Sequence, residues 1–237
     1  MADIAKTLLY LISTPEVGGL FPERLERALA AGPVAAFQFR VKGIDDHQAA
    51  LLAEPLQRIC AARDVAFIVN DSISLAKRLG ADGVHLGQGD GDLAEARAYL
   101  GREMQIGVTC HDSRHLALEA GEAGADYVAF GAFFPSSTKA VSHVAKPALL
   151  RWWHVWSELP SVAIGGITLA NAASLIEAGA DFLAVSGGVW NHPQGEVAAV
   201  EGFTKLLDQH RTFDPREADL AAIMEDLGEP LMGEEDA

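Results

Sequence analysis

Eight short apolar runs, each separated from the next by a stretch with helical periodicity, constrain this chain more than any other feature. The runs begin near Leu8, Ala35, Val65, Gly83, Ile106, Tyr127, Val162 and Phe182. Between and after them, residues 21–31, 45–63, 72–79, 93–100, 113–123, 147–159, 169–178 and 197–210 place apolar side chains at helical spacing. Strict alternation of strand and helix is the pattern of a parallel sheet built from βαβ units. A doubly wound open sheet is the rival arrangement. Eight units in 237 residues fit closure better, so the expected fold is α/β, a (β/α)8 TIM barrel over residues 1–213, followed by an acidic tail.

A weak internal repeat supports closure. Gly80-Ala81-Asp82, Gly124-Ala125-Asp126 and Gly179-Ala180-Asp181 each end a helical stretch and precede an even-numbered run. Glycine there suits a left-handed helix C-cap, so these segments read as turns at the barrel bottom.

In a barrel of this kind the loops that follow the strands converge on one mouth, which makes neighbours of residues far apart in sequence. Gln38, Arg40 and Lys42 alternate with Phe37, Phe39 and Val41. On a strand the two sets face opposite ways, and only the polar set can point inward, because the outer face packs on helices. Inward polar groups call for a ligand, or for an ion pair with a barrel carboxylate. Asn70-Asp71 ends the third run and Asp90 follows the fourth. Asp71 precedes a helix and also reads as an N-cap. Asp90 is less needed for that purpose, because Asp92 and Glu95 already form a capping box. Two carboxylates on adjacent strands suit Mg2+, which takes one or two carboxylates plus water and phosphate oxygens.

Ser136-Ser137-Thr138-Lys139 after the sixth run offers hydroxyls, amides and an ammonium to phosphate, or else forms a hydrophilic surface loop. Gly165-Gly166 and Ser186-Gly187-Gly188 follow the seventh and eighth runs, the frequent phosphate position of this fold; tight turning alone is the other reading. His85, mid-strand, reads as a satisfied interior histidine. His111 has no acid partner visible in the sequence. Trp152 and Trp156, four apart on one helix, read as core or interface. The set holds phosphate binders and metal ligands but no evident nucleophile–base pair. That favours chemistry in which a leaving diphosphate is stabilised and a substrate nucleophile is positioned.

Composition narrows the classes. The net charge of -15 excludes the basic footprint that nucleic acids and anionic membranes require. Against that background, Arg40, Lys42 and Lys139 at one mouth point to a small anion. No apolar run approaches a membrane span, and the N-terminus lacks the regions of a signal peptide. Two cysteines, Cys60 and Cys110, build no disulfide framework, so a cytoplasmic protein is expected. From Asp214 onward there are nine acidic residues and one arginine. Residues 218–227 suit a short amphipathic helix and the last residues suit disorder. A solubilising tail is the expected role, with a partner-binding helix as the alternative.

Several segments together resemble the thiamine-phosphate synthase family: Gln38-Phe-Arg-Val-Lys42, Asn70-Asp71, residues 80–90 (GADGVHLGQGD), residues 107–111 (GVTCH), residues 130–139 (FGAFFPSSTK) and residues 162–167 (VAIGGI). They cover most of the barrel in the family's order. The resemblance implies a Mg2+-assisted transferase that joins hydroxymethylpyrimidine diphosphate to a thiazole phosphate, and it implies a homodimer. By the same resemblance, Gln38, Arg40, Lys42, Asn70 and Lys139 hold the pyrimidine diphosphate and Thr109 stands beside that substrate. Asp71 and Asp90 bind Mg2+. Ser136, Thr138, Gly166, Ser186 and Gly187 receive the thiazole phosphate. Arg40 and Lys139 are the catalytic cations: diphosphate departs, a carbocation-like methylene forms, and the thiazole nitrogen attacks it.

Departures are local. Thr109 stands for a usual serine and Ser136 for a usual threonine. Ser186-Gly187-Gly188 replaces Val-Ser-Ala or Ile-Ser-Ala, Ser13-Thr14 replaces Thr-Asp, and the tail lies outside the pattern. Two other readings are a thiazole tautomerase on a related barrel and a non-catalytic, phosphate-binding regulatory barrel. The first needs no diphosphate clamp, and the combined metal and cation set counts against both.

Overall fold

A computed structural model describes residues 6–135, 143–210, 213–214 and 218–228 of the chain. The eight runs form eight parallel strands that close on themselves. They are β1 (Leu8–Ile12), β2 (Ala36–Phe39), β3 (Ala66–Asn70), β4 (Gly83–Leu86), β5 (Gln105–His111), β6 (Tyr127–Phe130), β7 (Ser161–Ile164) and β8 (Phe182–Val185), with β8 pairing back onto β1. The barrel is thus closed, and the open-sheet alternative falls.

The helices are α1 (Phe21–Ala30), α2 (Asp46–Ala61), α3 (Ile73–Leu79), α4 (Leu93–Leu100), α5 (Arg114–Glu122), α6 (Pro147–Trp156), α7 (Ala173–Ile176), α8 (Gly187–Trp190), α9 (Gly195–Gln209) and α10 (Leu220–Leu227). Side-chain caps start α2, α3, α4 and α5 at Asp45, Ser72, Asp92 and Ser113. The seventh helical stretch, expected over 169–178, is only one turn long. Asn171 accounts for part of this. Its side chain accepts from the Thr168 amide and donates to the Gly166 carbonyl, holding the chain in a loop where helix was expected.

Strand alternation divides the apolar residues into two layers. Phe37, Phe39, Phe67, Val84, Ile106, Val128 and Leu183 point outward and are buried under the helices. Tyr10, Ile12, Ala36, Ile68, Tyr127, Ala129, Val162 and Ala184 fill the barrel interior. Gln38 is on the inner side, 3% exposed, while Phe37 and Phe39 are on the outer side. The inward aim of the polar set on β2 is therefore realised.

The three Gly-Ala-Asp segments do identical work at the barrel bottom. Gly80, Gly124 and Gly179 take positive φ of 56°, 93° and 93° as the helices end. The following aspartates then reach across. Asp82 accepts from the Phe67 amide at 2.7 Å, Asp126 from Ile106 at 2.6 Å, and Asp181 from Ser161 at 2.7 Å. Each carboxylate satisfies the start of the odd-numbered strand before it, so pairs of βα units repeat structurally as well as in sequence.

Beyond the barrel, α10 lies against α6 with Ile223 and Met224 buried. Asp219 caps it by accepting from Ala222, and Gly228 ends it in a left-handed conformation. The expected amphipathic helix within the tail is present. The expected disorder at residues 233–237 lies outside the described residues.

Candidate active site

The strand ends place the polar side chains at one rim. Arg40 and Lys42 follow β2, Asp71 follows β3 and Asp90 lies in the turn after β4. These four groups feel one another. The Asp71 carboxyl is raised above the ordinary carboxylate range, first by burial and then by the neighbouring Asp90, while Lys42 and Arg40 pull the other way. Two carboxylates and two cations therefore converge from three strands.

Each is positioned by a specific local device. Asp71 has φ +65°, a conformation aspartate tolerates better than most residues. This sharp exit from β3 leaves Ser72 extended, and Ser72 caps α3 by accepting from the Leu75 amide. The capping role that the sequence offered to Asp71 thus falls to Ser72, and the Asp71 carboxylate is not spent on the helix. Asp90 holds its own turn, with Oδ2 accepting from the Gly87 amide at 2.7 Å. Asp92 caps α4, as its spacing to Glu95 indicated.

Arg40 is fixed by Ser13, a residue that sequence reasoning noted only as a departure from pattern. The Ser13 hydroxyl accepts from the Arg40 amide and donates to the Arg40 carbonyl. Ser186, after β8, donates to the Ser13 carbonyl at 3.2 Å, so the ends of β1, β2 and β8 are tied together.

Across the rim, the start of the loop after β6 packs on the turn after β7. Phe133 and Phe134 donate to the carbonyls of Ile164 and Gly165. Gly166 has φ +63°, and a Cβ there would lie 2.3 Å from the Pro135 carbonyl oxygen. Glycine is thus required by close approach as well as by conformation. Ser136, Thr138 and Lys139 lie outside the described residues. Pro135, which immediately precedes them, sits against Gly166.

Below the rim, the inner side chains form a buried hydrogen-bonded chain. Gln38 Nε2 donates to the Tyr10 hydroxyl at 3.1 Å, and the Tyr10 and Tyr127 hydroxyls are 3.1 Å apart. His85 Nδ1 is 3.1 Å from the Tyr127 hydroxyl, and His85 Nε2 is 2.8 Å from Thr109 Oγ1. His85 is the satisfied interior histidine its position suggested, and burial lowers its pKa to about 4. The sequence did not reveal Tyr10 and Tyr127 as polar partners. Gly107 carries the signal that was available: a Cβ there would stand 1.9 Å from the Tyr127 ring, so the missing side chain makes room for that ring.

His111, at φ +53° beyond a register shift in β5, stacks on His143 with ring centroids 4.6 Å apart. His143 is oriented by Asp112 at 3.1 Å. Trp152 is buried, with the Arg114 guanidinium over its ring, and Trp156 is exposed. No helix among the described residues is long and apolar enough to cross a membrane.

Comparison with known proteins identifies the family and the fold. A family model described as thiamine monophosphate synthase matches residues 9–189. The thiamine-phosphate synthase of Erythrobacter litoralis is 68% identical over 205 residues, covering 85% of this chain and 95% of that protein. The enzyme of the same name from Rhodospirillum centenum is 54% identical, covering 84% and 97%. Among solved structures, thiamine phosphate pyrophosphorylase from Pyrococcus furiosus superposes with a TM-score of 0.77 at 29% identity, covering 86% of this chain and 97% of that one. On the closed barrel, the match along it and these relatives, the chain belongs to the thiamine monophosphate synthase family.

Proposed function

We propose that this protein joins hydroxymethylpyrimidine diphosphate to hydroxyethylthiazole phosphate, forming thiamine phosphate and releasing pyrophosphate. The observation that carries this reading within the family is the meeting of Asp71 and Asp90 with Arg40 and Lys42 at one rim. Neither a tautomerase nor a purely regulatory barrel needs that combination.

The donor set fits Mg2+. Two carboxylates pressed together, one of them with its pKa raised by burial and by the other, are relieved by a divalent cation. Asp71 and Asp90 would hold it, and bound there it would supply positive charge to the diphosphate. Arg40 and Lys42 grip the same diphosphate from β2. Arg40 and Lys139 stabilise the pyrophosphate as it leaves, which acts on the transition state. Gln38, Asn70 and Thr109 orient the pyrimidine. Ser136, Thr138, Gly166, Ser186 and Gly187 hold the thiazole phosphate, so that the thiazole nitrogen faces the methylene carbon as its bond to diphosphate breaks. Positioning of this kind needs no protein nucleophile. The enzyme works in the cytoplasm as a homodimer, a reading that rests on the family resemblance and is checked by sedimentation.

The test is incubation of the purified chain with both substrates and Mg2+. Thiamine phosphate and pyrophosphate should appear in equal amounts, and chelation should abolish both. Absence of product with folded protein would overturn the assignment.

A further inference from the structure

The buried chain beneath the rim has a direction. The Gln38 amide nitrogen can only donate, so the Tyr10 oxygen accepts from it. Tyr10 has one hydrogen to give, and its other partner is the Tyr127 oxygen 3.1 Å away. Tyr127 then gives its own hydrogen to His85 Nδ1. The His85 ring is enclosed and its two nitrogens meet only hydroxyls, with no carboxylate in contact, so burial outweighs the more distant pull of Asp90 and the neutral ring is favoured. A neutral imidazole that accepts at Nδ1 carries its hydrogen on Nε2, and that hydrogen goes to Thr109 Oγ1 at 2.8 Å. Thr109 has now received a hydrogen bond and has its own hydrogen to give. It is half-buried at the end of β5, beneath the rim where Asp90 and Arg40 lie.

We infer that Gln38, acting through Tyr10, Tyr127 and His85, fixes the Thr109 hydroxyl as a hydrogen-bond donor to the mouth and so selects a substrate ring that presents an acceptor nitrogen there. This rests on the function proposed above for its substrate, and it adds Tyr10, Tyr127 and His85 as positioning residues. Were the Gln38 amide turned to present its oxygen, every link would reverse and Thr109 would face the substrate as an acceptor. One buried carboxamide therefore decides between donor and acceptor at a site three side chains away. Gly107 belongs to the same device, because only a residue without Cβ leaves room for the Tyr127 ring.

Two measurements test this. Long-range 1H–15N NMR on the full-length protein without substrate reads the His85 tautomer directly. The Nε2–H form is expected, and the Nδ1–H form overturns the inference whatever the enzyme's activity. The second is kinetic. Tyr127→Phe keeps the ring and removes one oxygen. It should raise KM for hydroxymethylpyrimidine diphosphate about tenfold, the worth of one ordinary hydrogen bond, and leave KM for the thiazole phosphate unchanged.

In a Thr109→Val background the same Tyr127→Phe change should have no further effect on either KM, while Thr109→Ser should restore the wild-type values. Analogues with one pyrimidine ring nitrogen replaced by C–H extend the test. One of them should bind wild type about tenfold more weakly than the parent and bind Thr109→Val no worse than the parent. Equal rises in both KM values, or additive effects in the double variant, would reduce Tyr127 to a packing residue. Wild-type turnover is scored separately, so failure of the proposed reaction is distinguishable from failure of the relay.

Discussion

Ser13 and Arg40 clasp each other through the backbone: the Ser13 hydroxyl accepts from the Arg40 amide at 2.9 Å and donates to its carbonyl at 3.1 Å. One side chain thus fixes the place at which β2 delivers its cations to the mouth. Ser13→Ala leaves the part-buried Arg40 amide without this partner, at a cost of about 0.5–1.5 kcal/mol. The expected result is a KM for the diphosphate substrate raised several-fold, with the thiazole phosphate KM unchanged. Equal rises in both would show that Ser13 shapes the whole rim and does not act through Arg40.

Asp90 has two roles that different substitutions separate. Asn keeps an oxygen for the Gly87 amide and removes the charge, whereas Ala removes both. Asp90→Asn should therefore fold normally and lose activity by orders of magnitude, because metal ligation acts on the transition state. Near-native turnover with unchanged Mg2+ dependence would sink the assignment. Burial and Asp90 both raise the Asp71 pKa, so protons compete with the metal at a higher pH than for an ordinary aspartate. On acidification, the Mg2+ concentration giving half-maximal activity should therefore begin to rise at a pH above that at which an ordinary aspartate takes up a proton. A pH-independent value would place the metal elsewhere.

Which parts of this could be read from the chain follows from how locally each is encoded. Strand-to-helix alternation and the Gly-Ala-Asp turns are local patterns, and both appear in the closed barrel. The inward aim of Gln38 required only the period of a strand. Ser13 was illegible because its partner lies 27 residues away and serine at a strand end is unremarkable. Tyr10 and Tyr127 read as ordinary apolar strand residues, since their hydroxyls meet only when the barrel closes. The exchange of capping from Asp71 to Ser72 depends on a left-handed residue that no spacing rule announces. The short α7 likewise reflects Asn171 satisfying backbone groups in place of a further helical turn.

Gly107→Ala should be among the more damaging single-methyl additions in the barrel. The added carbon would meet the Tyr127 ring at 1.9 Å, and that ring is buried with its hydroxyl held by Tyr10 and His85. Overpacking of this kind costs about 1–3 kcal/mol, more if the hydrogen bonds break. Chemical denaturation compares it with Gly124→Ala, whose Cβ would meet nothing within 4 Å but whose φ of 93° still imposes backbone strain. If Gly107→Ala is as stable as wild type, the interior is looser than its hydrogen bonds imply.

His85 should make the fold acid-sensitive. Its pKa falls from 6.5 to about 4 on folding. Because the folded pKa is the lower one, its contribution is complete above about pH 6.5 and is lost as pH falls toward 4, where the unfolded chain takes up a proton the buried ring refuses. Between pH 7 and pH 5 this single group accounts for a loss of about 2 kcal/mol. Urea denaturation at the two pH values, in wild type and in His85→Gln, isolates it: the variant should lose that much less. An identical pH dependence in both proteins would mean that His85 is charged, or solvated, inside the barrel.

The tail is expected to matter for stability and not for turnover. Helix α10 buries Ile223 and Met224 against the barrel, and Lys146 donates to the Asp226 carbonyl at 2.7 Å. Arg114 links it further, with its guanidinium 5.0 Å from the Trp152 ring and Nη1 3.5 Å from Met224 Sδ. None of these contacts involves a residue proposed for catalysis or substrate binding. Truncation after Phe213 uncovers the surface of α6 on which α10 packs and removes two buried apolar side chains. That is worth about 2–4 kcal/mol, or a fall in Tm of roughly 5–15 °C for a chain of this size. At a temperature where the truncated protein stays folded, kcat/KM should lie within a few-fold of the full chain. An unchanged Tm would show that α10 contributes nothing by docking. Lost turnover in folded protein would show that the tail reaches the active site or a partner subunit.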